Sequence, residues 1–354
     1  MLILEKRPEP SRAMVTLAPV IAIVLTVLSA SIIVTLLGRD PLVTMRVFFL
    51  DPLSDVTGWA ELILKAIPLA LCAVGLAFGF RAQVWNIGAE GQLTIGALAG
   101  AALALAFYEV DTPLLLPAIL LTGVAGGMAW GAIPAFLRTR YNANEILTSL
   151  MLTYVAILLL AWLIHGPMKD PDGFNFPESR LFHDAALLPV LIGGTRLHYG
   201  VFLALAAVIT AWVMLGKHII GFQIQASGLA PRAAEFAGFR ANHIVWISFL
   251  VAGGASGLAG IIEVTGPLGQ VVPSLSPGYG FTAIIVAFLG RLHALGILLA
   301  ALLMALTYIG GEAAQIMMNL PSAITNVFQG MLLLYLLSAD LLIHYRIRNK
   351  RRQG

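Results

Sequence analysis

The sequence predicts an all-α polytopic membrane protein with about ten transmembrane helices. Of its 354 residues, 59% are hydrophobic and only 11% are charged, with a mean hydropathy of +0.90. In a soluble domain about a quarter of the residues carry a charge. The apolar residues form continuous runs near the roughly 20 residues that a helix needs to span a bilayer. They do not alternate with polar residues, as the strands of a membrane barrel would require.

The ten predicted spans follow one another with few long polar gaps. In chain order they cover residues 14–37, 59–80, 88–108, 113–137, 146–165, 199–216, 244–264, 279–290, 294–310 and 321–340. The eighth is only half a span long, so the predicted range is eight to ten. The first run is too long for the apolar part of a signal peptide and lacks a clear small-residue cleavage site, which predicts a retained helix.

Basic residues are distributed unevenly between the two sides of this arrangement. Loops on the side of the N-terminus hold 15 of the 21 Lys and Arg residues, and the other side holds six. This is the positive-inside pattern, and it predicts that both chain ends are cytoplasmic. The basic ending HYRIRNKRRQ, residues 344–353, contributes to the bias. Orientation and anionic lipid headgroups of the bilayer explain this charge, so no nucleic-acid partner is predicted.

The chain is predicted to form a single transmembrane domain, residues 1–354, with two notable loops. Residues 166–198 form an external loop rich in Pro, Gly and Asp, and residues 217–243 form a cytoplasmic loop. The single cysteine, Cys72, excludes a disulfide within the chain. No GxxxxGK[ST] phosphate loop, HExxH motif or catalytic triad is recognisable. The sequence therefore predicts no enzyme activity, no metal site and no cofactor in this chain.

Polar residues interrupt the apolar pattern in residues 81–96, RAQVWNIGAEGQLTIG. Asn86, Glu90 and Gln92 lie there among glycines. An ionisable residue at membrane depth is a functional-site hypothesis, and a broken helix is tolerated there only inside protein or along a cavity. Two interpretations stay open: a gate or pathway element, or hydrogen bonds between helices that lock the bundle.

Glycines recur at four-residue spacing in three predicted spans. The pairs and triplets are Gly96 and Gly100; Gly123, Gly127 and Gly131; and Gly253 and Gly257. Such small-xxx-small faces let helix backbones approach closely. They predict a tightly packed bundle.

The cytoplasmic loop contains a predicted short helix at residues 231–237. Pro231 occupies a first helical position, Arg232 and Glu235 lie among good helix formers, and Gly238 is a stop signal. We interpret this helix as a docking element for a partner. The alternative is an ordinary amphipathic surface helix.

Two of these segments, together with three further ones, resemble the permease subunits of ATP-binding cassette (ABC) importers of the branched-chain amino acid, ribose and nucleoside group. The resemblance is closest to the nucleoside type, whose binding protein belongs to the basic membrane protein family. It extends over most of the chain from about Ile67 onward. The segments that carry it are NIGAEGQ at 86–92, NANEILTSLMLTYVA at 142–156, ASGLAPRAAEFAGF at 226–239, LGRLHALGILLAALL at 289–303 and FQGMLLLYLL at 328–337.

The resemblance implies a multi-subunit importer in the bacterial cytoplasmic (inner) membrane. Its partners would be a cytoplasmic ABC ATPase that binds ATP and Mg, a second paralogous permease and an external substrate-binding protein. The loop would be the coupling segment that contacts the ATPase. The implied coupling residues are Ala226, Gly228, Pro231, Arg232, Ala233, Ala234, Glu235 and Gly238.

Candidate residues of the translocation pathway or gate are polar side chains within or beside the spans. They are Asn86, Glu90, Gln92, Asn144, Glu145, Gln315, Asn319, Asn326 and Gln329. Neutral polar groups suit a neutral, hydroxyl-rich solute, because they exchange hydrogen bonds without retaining a charge. For Asn144 and Glu145 the alternative is an N-terminal cap of the fifth span.

The predicted function is import of nucleosides or a related small neutral solute. One alternative keeps the machine and changes the solute to a simple sugar such as ribose. Another is an ion-driven secondary transporter, which should carry a membrane-embedded acidic pair and needs no docking helix. A non-transporting scaffold is disfavoured by the polar residues within the spans.

Overall fold

The computed structural model describes residues 2–7 and 11–349, which form thirteen α-helices and two short strands. The first helices are α1 (Arg12–Leu36), α2 (Pro41–Phe49), α3 (Val56–Arg81), α4 (Ala89–Ala106), α5 (Leu115–Tyr141) and α6 (Glu145–His165). They are followed by α7 (Gly200–Gly216), α8 (Ile219–Leu229), α9 (Pro231–Phe236) and α10 (Ala241–Glu263). The last are α11 (Tyr279–Leu289), α12 (Ala294–Met318) and α13 (Ala323–His344). The strands are β1 (Leu2–Lys6) and β2 (Tyr345–Asn349).

Each of the ten predicted spans coincides with a helix. Within the described residues, eight helices are long and apolar enough to cross a membrane. The 17-residue α7 is joined to α8 by a 64° bend, and this pair counts as a ninth span if taken together. Helix α11 has 11 residues, in agreement with the predicted half span. The prediction of an all-α polytopic membrane protein is confirmed.

The two ends of the described chain pair with each other. Strand β1 runs antiparallel to β2, with Leu2 opposite Asn349 and Lys6 opposite Tyr345. This pairing brings both ends to one place, as an even number of spans requires. That this place is cytoplasmic stays a prediction, and residues 350–353 of the basic ending lie outside the described residues.

The helices form two compact units. The terminal unit comprises the described parts of 1–55 and 306–354. Within it the rings of Phe48 and Phe328 stack 5.8 Å apart, and the hydroxyls of Ser29 and Tyr335 are hydrogen-bonded at 2.6 Å. These contacts join α2 and α1, respectively, to α13. The prediction of a single permease domain is not decided by this division.

The central unit comprises Val56–Ala305 and is built around α3. From Ala66 to Phe80, helix α3 is apolar and buried on all sides. A helix of that composition is stable only inside protein or lipid. Helices α7, α10 and α11 pack against it.

The glycine faces lie where α4, α5 and α10 cross. A methyl group on Gly96 would lie 2.2 Å from Cα of Gly257, and one on Gly127 would lie 2.1 Å from the Gly253 carbonyl oxygen. Neither distance leaves room for a side chain, so the backbones touch directly. The predicted close helix packing is confirmed.

Residues 166–198 pack on the end of α10, where the helix continues as a π-helical turn, Val264–Leu268. The amides of Leu188 and Phe182 donate to the carbonyls of Thr265 and Gly269 at 2.8 Å each. The segment contains one short 3-10 helix, Asp184–Ala186. Its position outside the membrane stays a prediction.

Candidate functional site

Seven residues without helical structure, 82–88, separate α3 from α4. Helix α3 ends in a Schellman turn: Gln83 has a φ of +57°, and the Val84 amide donates to the Gly79 carbonyl at 2.9 Å. The chain then turns back and begins α4 at Ala89. The NIGAEGQ segment therefore straddles the break, with Asn86 inside it and Glu90 and Gln92 in the first turns of α4.

Asn86 and Gln92 form a buried amide pair. Asn86 Nδ2 donates to Gln92 Oε1 at 3.1 Å, and Gln92 Nε2 donates to Asn86 Oδ1 at 3.4 Å. The same Asn86 oxygen accepts the Gly88 amide at 2.9 Å. The two side chains are 2% and 1% exposed. Their hydrogen-bonding groups thus hold the break to the first turns of α4.

Helix α6 supports the break from a second direction. The Ile87 amide donates to Ser149 Oγ at 3.1 Å, and that hydroxyl donates to the Glu145 carbonyl at 2.6 Å. A methyl group on Gly88 would lie 3.0 Å from Ser149 Cβ. The close approach of α6 depends on the glycine at this position.

Glu90 lies at the start of another helix, the short α11. Its carboxylate accepts the Gly280 amide at 2.6 Å and is also a hydrogen-bond partner of the Ser276 side chain. A methyl group on Gly280 would lie 2.2 Å from the Glu90 amide nitrogen, so the two backbones are in direct contact. The N-termini of α4 and α11 both meet at this carboxylate, where the partial positive charge of a helix end stabilises an anion. This setting explains why a carboxylate is tolerated at 4% exposure.

Asn144 caps α6, as the alternative interpretation predicted. Its Oδ1 accepts the amides of Ile146 and Leu147 at 3.0 and 3.3 Å. Glu145 pairs with Arg138 at 3.4 Å across the α5–α6 turn. These contacts account for both residues without a solute, and a pathway role for them stays a prediction.

The predicted coupling segment contains the short helix expected in it, and its role in coupling stays a prediction. Helix α9 begins at Pro231 and ends at Phe236, and Gly238 has a φ of +86°, which suits glycine in particular. Ala234 is buried, whereas Arg232, Glu235 and Phe236 are exposed. Ala226 is half-buried and Gly228 buried on α8. The remaining predicted coupling residues, Pro231 and Ala233, are exposed with the rest of α9.

The other pathway candidates belong to the terminal unit. Gln315, Asn319 and Asn326 are exposed, and Gln329 is 5% exposed. Asn319 follows the end of α12 with a φ of +51°, a conformation that asparagine adopts more readily than most residues. Their role in a pathway stays a prediction.

Sequence reasoning missed a charged cluster at the other end of α3. The Arg196 guanidinium binds both carboxylate oxygens of Glu61, at 2.9 and 2.8 Å. Glu263 of α10 is 9% exposed and interacts electrostatically with Lys65, Arg196 and Glu61. The four-residue spacing of Glu61 and Lys65 on one helix face was the available signal. Each acid in this cluster faces a cation.

His198 lies beside this cluster and is buried. Its Nδ1 accepts the Gly200 amide at 3.1 Å, and a methyl group on Gly266 would lie 2.4 Å from its Nε2. Burial lowers the pKa of His198 from 6.5 to about 4. The ring is therefore neutral at physiological pH and packs the preceding loop onto the π-helical turn.

Within residues 2–7 and 11–349, no group of three or more His, Cys, Asp or Glu side chains is placed to bind a metal ion. The clusters described above consist of amide pairs, helix caps and ion pairs. Such arrangements hold helices together and can exchange hydrogen bonds when helices move.

Comparison with known proteins identifies this architecture as that of a membrane permease. Residues 58–337 match the family described as branched-chain amino acid transport system / permease component, and the chain belongs to this family. It is therefore a multi-pass permease subunit.

Curated relatives cover nearly the whole chain. The glucose ABC transporter permease protein TsgB13 of Haloferax volcanii is 36% identical, over 92% of this chain and 88% of the relative. The guanosine ABC transporter permease protein NupP of Bacillus subtilis is 29% identical, over 91% and 93%. The nucleoside ABC transporter permease protein NupB of Lactococcus lactis is 29% identical, over 83% of each. The relatives' names agree with the predicted nucleoside function and with its sugar alternative.

Proposed function

We propose that this chain is the membrane permease of an ATP-driven importer that carries nucleosides or a related neutral solute. ATP hydrolysis, with its Mg, occurs on a separate cytoplasmic ATPase. A second, paralogous permease completes the pathway, and an external binding protein delivers the solute. The observation that carries the proposal is the exposed helix α9 in a chain of this permease family.

Helix α9 has the form of a rigid lever. It is six residues long, it is bounded by Pro231 and Gly238, and its buried Ala234 faces the protein. Phe236 is 96% exposed and the nearby Leu229 is 76% exposed, with Arg232 and Glu235 between them in sequence. Exposed apolar side chains beside two opposite charges fit a groove on another protein, because without a partner the apolar groups would remain in water. Alternating access by rigid-body motion needs such a stiff contact.

The NIGAEGQ cluster serves in this proposal as a gate lock. The side chains of this cluster are hydrogen-bonded to the α3–α4 break, to α4 and to the start of α11. They belong to Asn86, Glu90 and Gln92. Movement of these helices would have to exchange those bonds. The lock would thus hold one state of the gate without contacting the solute.

A simple sugar is the second candidate solute. The observation in its favour is the 36% identity to a glucose permease over 92% of this chain. Nucleosides and sugars share neutral hydroxyl groups, and the binding protein selects between them. Calorimetric titration of that protein with guanosine and with glucose decides which solute is carried.

The coupling assignment is tested by charge reversal in α9. Arg232→Glu and Glu235→Lys should each abolish most uptake in vesicles that contain the ATPase, second permease and binding protein encoded beside this chain. ATP hydrolysis should continue, and the permease should accumulate normally. Arg39→Glu, an exposed arginine after α1, is the matched control. Wild-type uptake in either α9 variant refutes the assignment.

A further inference from the structure

Arg81, the last residue of α3, lies where three parts of the central unit meet. Its Nε donates to the Leu292 carbonyl at 2.9 Å, and its Nη1 donates to the Leu215 carbonyl at 3.2 Å. Leu292 belongs to the turn between α11 and α12, and Leu215 to the last turn of α7. One guanidinium therefore joins the ends of three helices.

The bond to Leu215 is favoured by its position. The last four carbonyls of an α-helix have no intrahelical partner, and they carry the negative end of the helix dipole. A planar guanidinium offers several donors in fixed directions, so it can bind two carbonyls at once. A lysine ammonium has the same charge but not this fork.

Helix α8 also packs directly against the backbone of Arg81. A methyl group on Gly228 would lie 2.1 Å from the Arg81 carbonyl oxygen and 3.2 Å from Cα of Ala82. Gly228 precedes Pro231, the first residue of α9, by three positions. If α9 moves and α8 moves with it, α8 therefore displaces the end of α3 through this direct backbone contact.

The same residue leads into the NIGAEGQ segment. Trp85, four positions later, stacks on Phe288 of α11 at 5.9 Å and lies 5.3 Å from the ring of Phe80. Phe80 itself stacks on Phe288 at 5.1 Å. A continuous series of contacts thus leads from α8, through Arg81, to the break and to α11. The first turn of α11 in turn donates a hydrogen bond to Glu90 of α4.

We propose that Arg81 is a positioning residue that transmits movement of the coupling segment to the α11–α12 turn and to the NIGAEGQ gate. Its carbonyl group contacts Gly228 and is displaced when α8 moves. Its guanidinium keeps the ends of α7 and α11 in register with α3 while they move. This inference rests on the proposed function, because it assumes that α9 is the contact with the ATPase.

The test measures solute imported per ATP hydrolysed, in vesicles that contain the complete transporter. Arg81→Met should lower this ratio about tenfold, the equivalent of about 1.4 kcal/mol. Arg81→Lys should fall between the wild type and Arg81→Met, because its ammonium retains the charge but reaches only one carbonyl. Gly228→Ala should lower the ratio as well, because its methyl group drives α8 away from Arg81. The ATPase should still co-purify with all three variants.

Arg140→Met is the matched control, since Arg140 is an exposed arginine in the last turn of α5. It should leave the ratio unchanged. An unchanged ratio in Arg81→Met overturns the inference. So does a failure of both Arg81→Lys and Arg81→Met to accumulate in the membrane, because Arg81 would then be needed for folding. Failure of the proposed function differs from both outcomes, because the wild type itself would then show no ATP-dependent uptake.

Discussion

Replacement of Glu90 tests whether the buried carboxylate is a helix cap or a direct participant in transport. Helix α11 begins after Gly278, and its first amides have no partners within the helix. Ser276 Oγ accepts the amides of Gly278 and Tyr279 at 3.2 and 3.1 Å. The amide of Gly280 donates to Glu90 instead. The start of α11 therefore depends on a side chain that is 190 positions away in sequence.

The expected cost follows from which part of the cap each variant removes. Glu90→Gln keeps an acceptor oxygen and the shape but loses the charge. Hydrogen bonds to charged groups contribute about 1.5–3 kcal/mol and neutral ones about 0.5–1.5 kcal/mol, so this variant should cost about 1 kcal/mol. Glu90→Ala leaves the buried Gly280 amide without its acceptor and opens a cavity. Its cost should be about 2–4 kcal/mol.

The assay combines accumulation in the membrane, the apparent melting temperature in detergent and uptake. Glu90→Gln should accumulate normally, melt about 2 °C lower and show reduced uptake, because the contact that holds one state of the proposed gate is weakened. Glu90→Ala should melt clearly lower still. The exposed Glu109, replaced by Gln, is the control and should change neither property.

Two outcomes would refute this reasoning. If Glu90→Gln disappears from the membrane, the carboxylate is mainly structural and its assignment to the gate is wrong. If Glu90→Ala melts like the wild type, the Gly280 contact does not stabilise α11.

Two further predictions concern packing and pH. Gly257→Ala places a methyl group 2.4 Å from the Gly123 carbonyl oxygen and should destabilise the protein by about 1–3 kcal/mol in thermal melts. Gly330→Ala, with open space around it, should stabilise α13 by up to about 1 kcal/mol. Equal melting temperatures of the two variants would contradict both expectations. His198, whose pKa falls from 6.5 to about 4 on folding, binds fewer protons in the folded state, so its contribution to stability is complete above pH 6.5 and is lost as the pH falls toward 4. The loss should be on the order of 3 kcal/mol, seen as a melting temperature that drops from pH 7.5 to pH 4.5 in the wild type and drops less in His198→Gln.

Much of the fold could be predicted because helices that cross a bilayer require long apolar runs, which can be read directly along the sequence. Apolar runs of span length identified every long helix, and Pro231 with Gly238 marked the ends of α9 to within one residue. The glycine spacing predicted close crossings, since four-residue spacing places residues on one helix face. These features depend on local sequence and on the solvent, and no distant residue has to be known.

The partners of polar side chains could not be predicted in the same way. The sequence marked Asn86, Glu90 and Gln92 as unusual, yet left open whether they line a pathway or lock the bundle. Asn86 with Gln92 is a local pair, whereas Glu90 with Gly280 and Arg196 with Glu61 join residues far apart in the chain. Such pairs carry no periodic signal of their own.

By itself, then, the sequence determined that the chain is a polytopic helical membrane protein of the permease type, where its spans lie and where helix α9 begins. Only the tertiary structure decided that Glu90 caps α11 and that Arg81 joins α3 to the ends of α7 and α11. The reason is physical. Hydrophobic burial and helix capping signals act along the chain, whereas the low polarity of the interior makes each buried polar group depend on the one partner that folding brings to it.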